Sequence, residues 1–153
     1  MKFVRALVLA SALLGSAPLF AQALTESALK AFSAKIDDAI SRHDVDTIIQ
    51  HIAEHAVISG TVQVQGQTRM IRMNKAQYRQ MLTTTWSAAT SYEYDRSNEK
   101  ISIDRDQATI TADVAESMVI QGQQIATKVR ERATVENIDG TLMLTQLVAN
   151  QIL

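Results

Sequence analysis

The chain has 153 residues, no cysteine and a formal net charge of -1 at neutral pH. That length suits one domain rather than several, and the missing thiols exclude a disulfide framework. The slightly acidic balance argues against nucleic acid or an anionic membrane as a partner.

Residues 1–23, MKFVRALVLASALLGSAPLFAQA, have the plan of a secretory signal peptide. Lys2 and Arg5 form the positive start, and Ala21-Gln22-Ala23 is a small-x-small cleavage site. The apolar run between them is interrupted by Gly15 and Pro18 and is too short for a confident membrane span. No cysteine follows it, so attachment through a lipidated cysteine is not expected. The expectation is cleavage after Ala23, leaving a single domain over residues 24–153 with no membrane attachment. Losing Lys2 and Arg5 takes the charge from -1 to near -3. Without disulfides such an exported domain rests on its core alone, which suits the periplasm of a Gram-negative bacterium.

Three helices follow in order. Leu29, Phe32, Ile36 and Ile40 recur at helical spacing, with Lys30, Lys35, Asp37 and Asp38 on the other side. Arg42-His43-Asp44 breaks the pattern, and Asp44 can cap a short second helix that presents Val45, Ile48, Ile49 and Ile52. Asn74, with Gln77 at the capping-box position, opens a third helix carrying Tyr78, Met81, Leu82 and Trp86 on one face.

The rest is strand-like. Residues 56–73 alternate, with Gly60 and Gly66 as bends, and three long segments follow the third helix: 92–104, 108–120, and 124–151 folded back on itself. Arg105-Asp106, Gln121-Gly122 and Asp139-Gly140 mark the connections, Asp-Gly being a preferred type I′ hairpin turn. No repeat or linker is visible. Helices followed by a run of strands predict an α+β domain with three N-terminal-half helices packed on a curved antiparallel sheet.

AISRHDVDTIIQHIAEHAVISG, a capped helix with a tryptophan, and a meander ending VRERATVENIDGTLMLTQLVANQ together resemble the nuclear-transport-factor-2-like (NTF2-like, cystatin-like) superfamily. The resemblance covers all of residues 24–153. Relatives in that superfamily include ketosteroid isomerase and the SnoaL-like polyketide cyclases. It implies a cone whose helices close over the concave sheet face, with a pocket inside. It does not imply one activity, because the fold hosts enzymes, binding proteins and assembly modules.

His51 to His55, HIAEH, matches the zinc-protease pattern H-x-x-E-H. The resemblance ends the second helix here, which leaves only about one helical turn for both histidines. Spacing selects neither Glu116 nor Glu131 as a third ligand. The expectation is therefore no metal, with the histidines at solvent or the mouth of the cone. His43 is expected in a solvated loop.

Closing the hairpins on their turns fixes a register. Val114 then faces Val129, Ala112 faces Glu131, and Glu116 faces Thr127; beyond Asp139-Gly140, Val135 faces Leu144, Ala133 faces Gln146, and Glu131 faces Val148. Alternation puts Ile110, Ala112, Val114, Met118, Val129, Ala133, Val135, Leu144 and Val148 on the core face, together with Glu116, Glu131, Thr127 and Gln146. Two carboxylates on an apolar face mark a ligand pocket, where burial would raise their pKa values and suit them to acid–base work or hydrogen bonding. The predicted ligand-binding set is Glu131, Glu116 and Gln146 under an aromatic wall of Tyr78 and Trp86. Its ligand would be a small hydrophobic molecule, and no cofactor is implied. The opposite face carries Asp113 across from Arg130, and with Arg132, Met143 and Leu147 it is either a homodimer surface or a solvated face.

Aligned by eye with ketosteroid isomerase, the oxyanion-stabilising tyrosine falls at Ile36 and the general-base aspartate at Gly60. Neither residue can do that chemistry, so steroid isomerisation is not expected. Three functions stay open: an exported binding or accessory protein, a lyase or isomerase with Glu131 as base, and a protein-interaction module.

Overall fold

The computed structural model describes residues 23–64 and 66–152; the predicted signal peptide up to Gln22 lies outside the described residues. Helix α1, Glu26–Ser41, begins where Thr25 Oγ1 accepts the Ala28 N–H at 3.1 Å. Helix α2, Val45–Gln50, is capped by Asp44, whose Oδ1 accepts from the Thr47 N–H at 3.0 Å. Helix α3, Lys75–Ala88, opens on the predicted capping box, Asn74 and Gln77 bonding reciprocally at 2.9 Å.

Six strands, β1 Ile52–Val64, β2 Gln67–Met73, β3 Ala89–Asp104, β4 Gln107–Ile120, β5 Gln123–Ile138 and β6 Thr141–Gln151, form one curved, unclosed sheet in the order β2-β1-β6-β5-β4-β3. All neighbours are antiparallel except β1 and β6, which run parallel. No turn joins that pair, so no hairpin dictates its direction. The tight turns carry left-handed backbone: Gln121 and Gly122 have φ of 52° and 77°, Asp139 and Gly140 51° and 85°. These angles suit type I′ turns.

Along β4 and β5 the register is the one the turn predicts, with Val114 opposite Val129, Ala112 opposite Glu131 and Glu116 opposite Thr127. Along β5 and β6 it holds only as far as Val135 opposite Leu144. There β6 bulges: Thr145 is an extra residue, and pairing resumes with Thr134 opposite Gln146. Ala133 therefore faces Leu147 rather than Gln146, and Glu131 faces Ala149 rather than Val148. A slip of one residue exchanges the faces. Gln146 and Val148 turn outward, and Leu147, predicted on the outer face, turns in. Met143, also predicted outside, is partly buried against the cluster around α2, α3 and β1.

The strand β1 begins at Ile52, so Ile52 belongs to the sheet and not to α2. Gly60 is no bend; it lies within β1, paired with Ala149. Gly66 does turn the chain, at φ 76°. Two apolar clusters hold the helices to the sheet. Leu29 and Phe32 of α1 pack on Ala108, Ile110, Val135 and Leu142. Ile48, Ile49, Leu82 and Trp86 pack with Ile52 and Ile58. Each such large side chain contributes about 1.5–3 kcal/mol when fully buried.

Candidate functional site

Two hollows lie under the helices. The larger, of about 470 Å³, is walled by Met73, Met81, Leu82, Trp86, Met118, Val129 and Ala149, with Glu116 among them. The smaller, of about 60 Å³, lies where the two apolar clusters meet, between Phe32, Ile48, Ile52, Ile110 and Leu144. Tyr78, Glu131 and Leu147 line both. A broader depression of about 610 Å³ along β3, β4 and β5 is open to solvent and edged by Glu93, Asp95, Ser117 and Lys128. It lacks the apolar enclosure of a ligand site.

Glu131 stands at the junction of the two hollows. Its remaining exposed surface faces them, and among the described residues its carboxyl has no hydrogen-bond partner. Burial pushes its pKa up to about 7; Arg96 opposes that rise, while Glu116 and Asp37 add to it. The predicted carboxylate thus has an environment that suits either a hydrogen bond or a proton transfer near neutrality.

Around it stand groups that sequence reasoning missed. Tyr94 Oη donates to Asp37 Oδ1 at 2.9 Å, and Arg96 Nη1 donates to the same oxygen at 3.1 Å. Arg96 Nη2 lies 3.6 Å from Glu99 Oε2. Asp37, which helical spacing places opposite the apolar stripe of α1, is held by β3. The signal was present in Tyr92-x-Tyr94-x-Arg96, a period of two that aims all three side chains inward, opposite Met118, Glu116 and Val114. Tyr92 Oη donates to Glu116 Oε1 at 2.6 Å. Burial pushes the phenols of Tyr78, Tyr92 and Tyr94 well above their ordinary range, with nearby carboxylates adding to the effect. All three remain neutral donors.

Gln146, predicted beside the carboxylates, is exposed on the far face, carried there by the bulge at Thr145. Tyr78 and Trp86 do stand over the concave face. His43 is not merely solvated: its ring stacks on Trp86 with centroids 5.0 Å apart and meets the edge of Tyr92 at 5.1 Å. His51 is half-buried. It caps α2 and lines the smaller hollow, with Nδ1 2.7 Å from the Thr47 carbonyl oxygen and its ring at an edge to Phe32.

The strand starts one residue later, so Glu54 and His55 lie on β1 with exposed side chains. The single helix face that H-x-x-E-H requires does not exist here. Among the described residues no group of three or more His, Asp or Glu side chains is placed to hold a metal. Gly60 lines the larger hollow, where a Cβ would run into the backbone oxygen of Ala149.

No family model and no curated protein matches the sequence. Solved structures do resemble the fold. An NTF2-like protein from Cytophaga hutchinsonii superposes with a TM-score of 0.66 at 13% identity, over 82% of this chain and 97% of that one. A ketosteroid isomerase-like protein from Erwinia carotovora atroseptica gives 0.61 at 12%, over 81% and 93%. The beta subunit of the benzoate 1,2-dioxygenase from Burkholderia mallei gives 0.66 at 12%, over 86% and 93%. At these identities the likeness concerns architecture, and function has to come from the site. Helices closed over a curved, open sheet with a hollow beneath them give this chain the nuclear-transport-factor-2-like fold.

Proposed function

We propose that the protein is exported and holds a small, mainly apolar molecule in the cone, with Glu131 at its polar end. The carrying observation is the position of that carboxyl: at the junction of the two hollows, without a hydrogen-bond partner among the described residues. A buried polar group left unpaired costs about 1–3 kcal/mol, and a ligand's hydrogen bond removes the cost. Screening small hydrophobic molecules by thermal melting tests this. A ligand at a hundred times its Kd is expected to stabilise the fold by about 2.7 kcal/mol. The absence of any such ligand among neutral molecules that fit the larger hollow would count against the cone as a binding site. Export rests on the signal-like start; Edman sequencing of the exported protein is expected to begin at Leu24, and an intact Met1 would contradict it.

A second reading has its own support. A carboxyl pushed to about 7 is suited to take a proton from carbon at neutral pH. That supports lyase or isomerase chemistry with Glu131 as base, on a fold shared with a protein named as ketosteroid isomerase-like. A rate that rises with pH through about 7 and is abolished in Glu131→Gln would establish it; ligand binding without turnover would leave the binding function.

A further inference from the structure

The wall of the larger hollow carries charge of one sign. Two carboxylates line it, Glu116 and Glu131, and among the described residues no lysine, arginine or histidine does. Glu116 has a partner in the Tyr92 hydroxyl, at 2.6 Å. Glu131 has neither a hydrogen bond nor an ion pair among the described residues. The guanidinium that acts on it, Arg96, is engaged elsewhere, 3.1 Å from Asp37 and 3.6 Å from Glu99. Glu116 adds to the cost of a charge on Glu131.

Charge therefore selects what enters. An anion would meet both carboxylates and no cation. A neutral donor would hydrogen-bond to Glu131 and leave its charge uncompensated. An ammonium group supplies donor and charge together, and hydrogen bonds between ions are about twice as strong as neutral ones. Burying an ion pair often gains little, because both ions lose their water. Here folding has already desolvated the carboxylate, which is ionised at pH 8, its pKa being about 7. Only the ammonium still has water to lose. The rest of the wall suits the remainder of such a ligand. Met73, Met81 and Met118 bring three thioethers, and Trp86 and Tyr92 meet edge to face with centroids 5.9 Å apart. Thioethers are flexible and polarisable, and adapt to apolar bodies of varied shape. A volume of about 470 Å³ lies within the range of small-molecule sites, about 300–1,000 Å³.

We infer that the larger hollow takes a lipophilic amine: a protonated primary amine on a compact apolar body, its ammonium donating to Glu131 and its body resting on the thioethers and rings. Glu116 favours the same cation through its charge. This inference rests on the cone as a binding site, and the test separates the two.

Calorimetric titration at pH 8 with naphthylmethylammonium, naphthylmethanol and naphthoate, which share one ring system, compares three head groups. The ammonium is expected to bind at least about tenfold more tightly than the neutral alcohol, and naphthoate more weakly than either. Glu131→Gln keeps the shape and removes the charge. It should weaken the ammonium about tenfold and leave the alcohol within about threefold, and the retained alcohol binding shows that the variant is folded. Glu116→Gln should weaken the ammonium by a smaller factor, about two- to fivefold, because it removes a neighbouring charge and not the contact. An ammonium no tighter than the alcohol, or an ammonium affinity that survives Glu131→Gln, would overturn the amine assignment and leave the cone as a site for neutral molecules. Absence of binding by all three would overturn the cone reading and the amine together.

Discussion

Glu131→Leu is expected to raise the melting temperature clearly more at pH 8 than at pH 4, where only the smaller cost of an unpaired neutral carboxyl is removed. The carboxyl's pKa rises from 4.5 to about 7 on folding, chiefly through burial. Below the lower value both states hold the proton, and no ionisation penalty exists. Between the two values the unfolded chain releases the proton while the folded one keeps it, so stability falls as pH rises. Above about 7 both are charged, and the folded state bears the whole cost of a buried anion. That cost is about 3 kcal/mol, at 1.36 kcal/mol for each pH unit between the two values. Leucine, of similar size, has no proton to lose and removes it. For a domain of this length the gain at pH 8 is on the order of 10 °C. Glu131→Gln, which keeps the shape and can still hydrogen-bond, should fall between leucine and wild type at pH 8. Melting curves of the three proteins at both pH values decide the matter. A leucine variant that melts lower throughout would mean that the carboxyl is solvated or paired, and would remove the physical basis for a ligand at Glu131.

Gly60→Ala should be the more damaging change, although it adds only a methyl group. Gly60 and Ala149 are partners in the parallel ladder of β1 and β6, and a Cβ on Gly60 would collide with the Ala149 backbone oxygen. Backbone cannot rotate aside as the end of a long side chain can. The strands must separate at the seam that joins β2 and β1 to the rest of the sheet. A loss of about 2–3 kcal/mol follows from such overpacking, read as a lowered denaturation midpoint with unchanged slope. Gly66 provides the contrast. It is also a glycine of this hairpin, at φ 76°, but nothing lies within 4 Å of a Cβ there. Gly66→Asn should cost under about 1 kcal/mol, because asparagine tolerates left-handed backbone. Equal losses at the two positions would show that turn conformation, not the approach of β6, is what Gly60 serves.

Local chemistry explains what could be read from the chain in advance. Asp44 and Asn74 cap helices because their side chains reach backbone N–H groups three residues away, a contact contained within the segment. Gln121-Gly122 sets the pairing of β4 with β5, because a tight turn leaves the flanking residues one register. From that register alternation alone places Glu131 on the concave face opposite Ala112.

Sequence by itself therefore determined the helices, the hairpins and the carboxylate at the centre of the site. Tertiary structure decided the rest. The extra residue at Thr145 has no local signature, yet it exchanges Gln146 for Leu147 in the cavity wall. Asp37 and Arg96 lie 59 positions apart and meet only because α1 packs across β3. Ser33 looks like an ordinary helix residue until packing buries it, and Arg96, around the smaller hollow. The elevated pKa of Glu131 likewise belongs to no motif: desolvation depends on how much protein surrounds a group from every side, and only the helices packed over the curved sheet supply that.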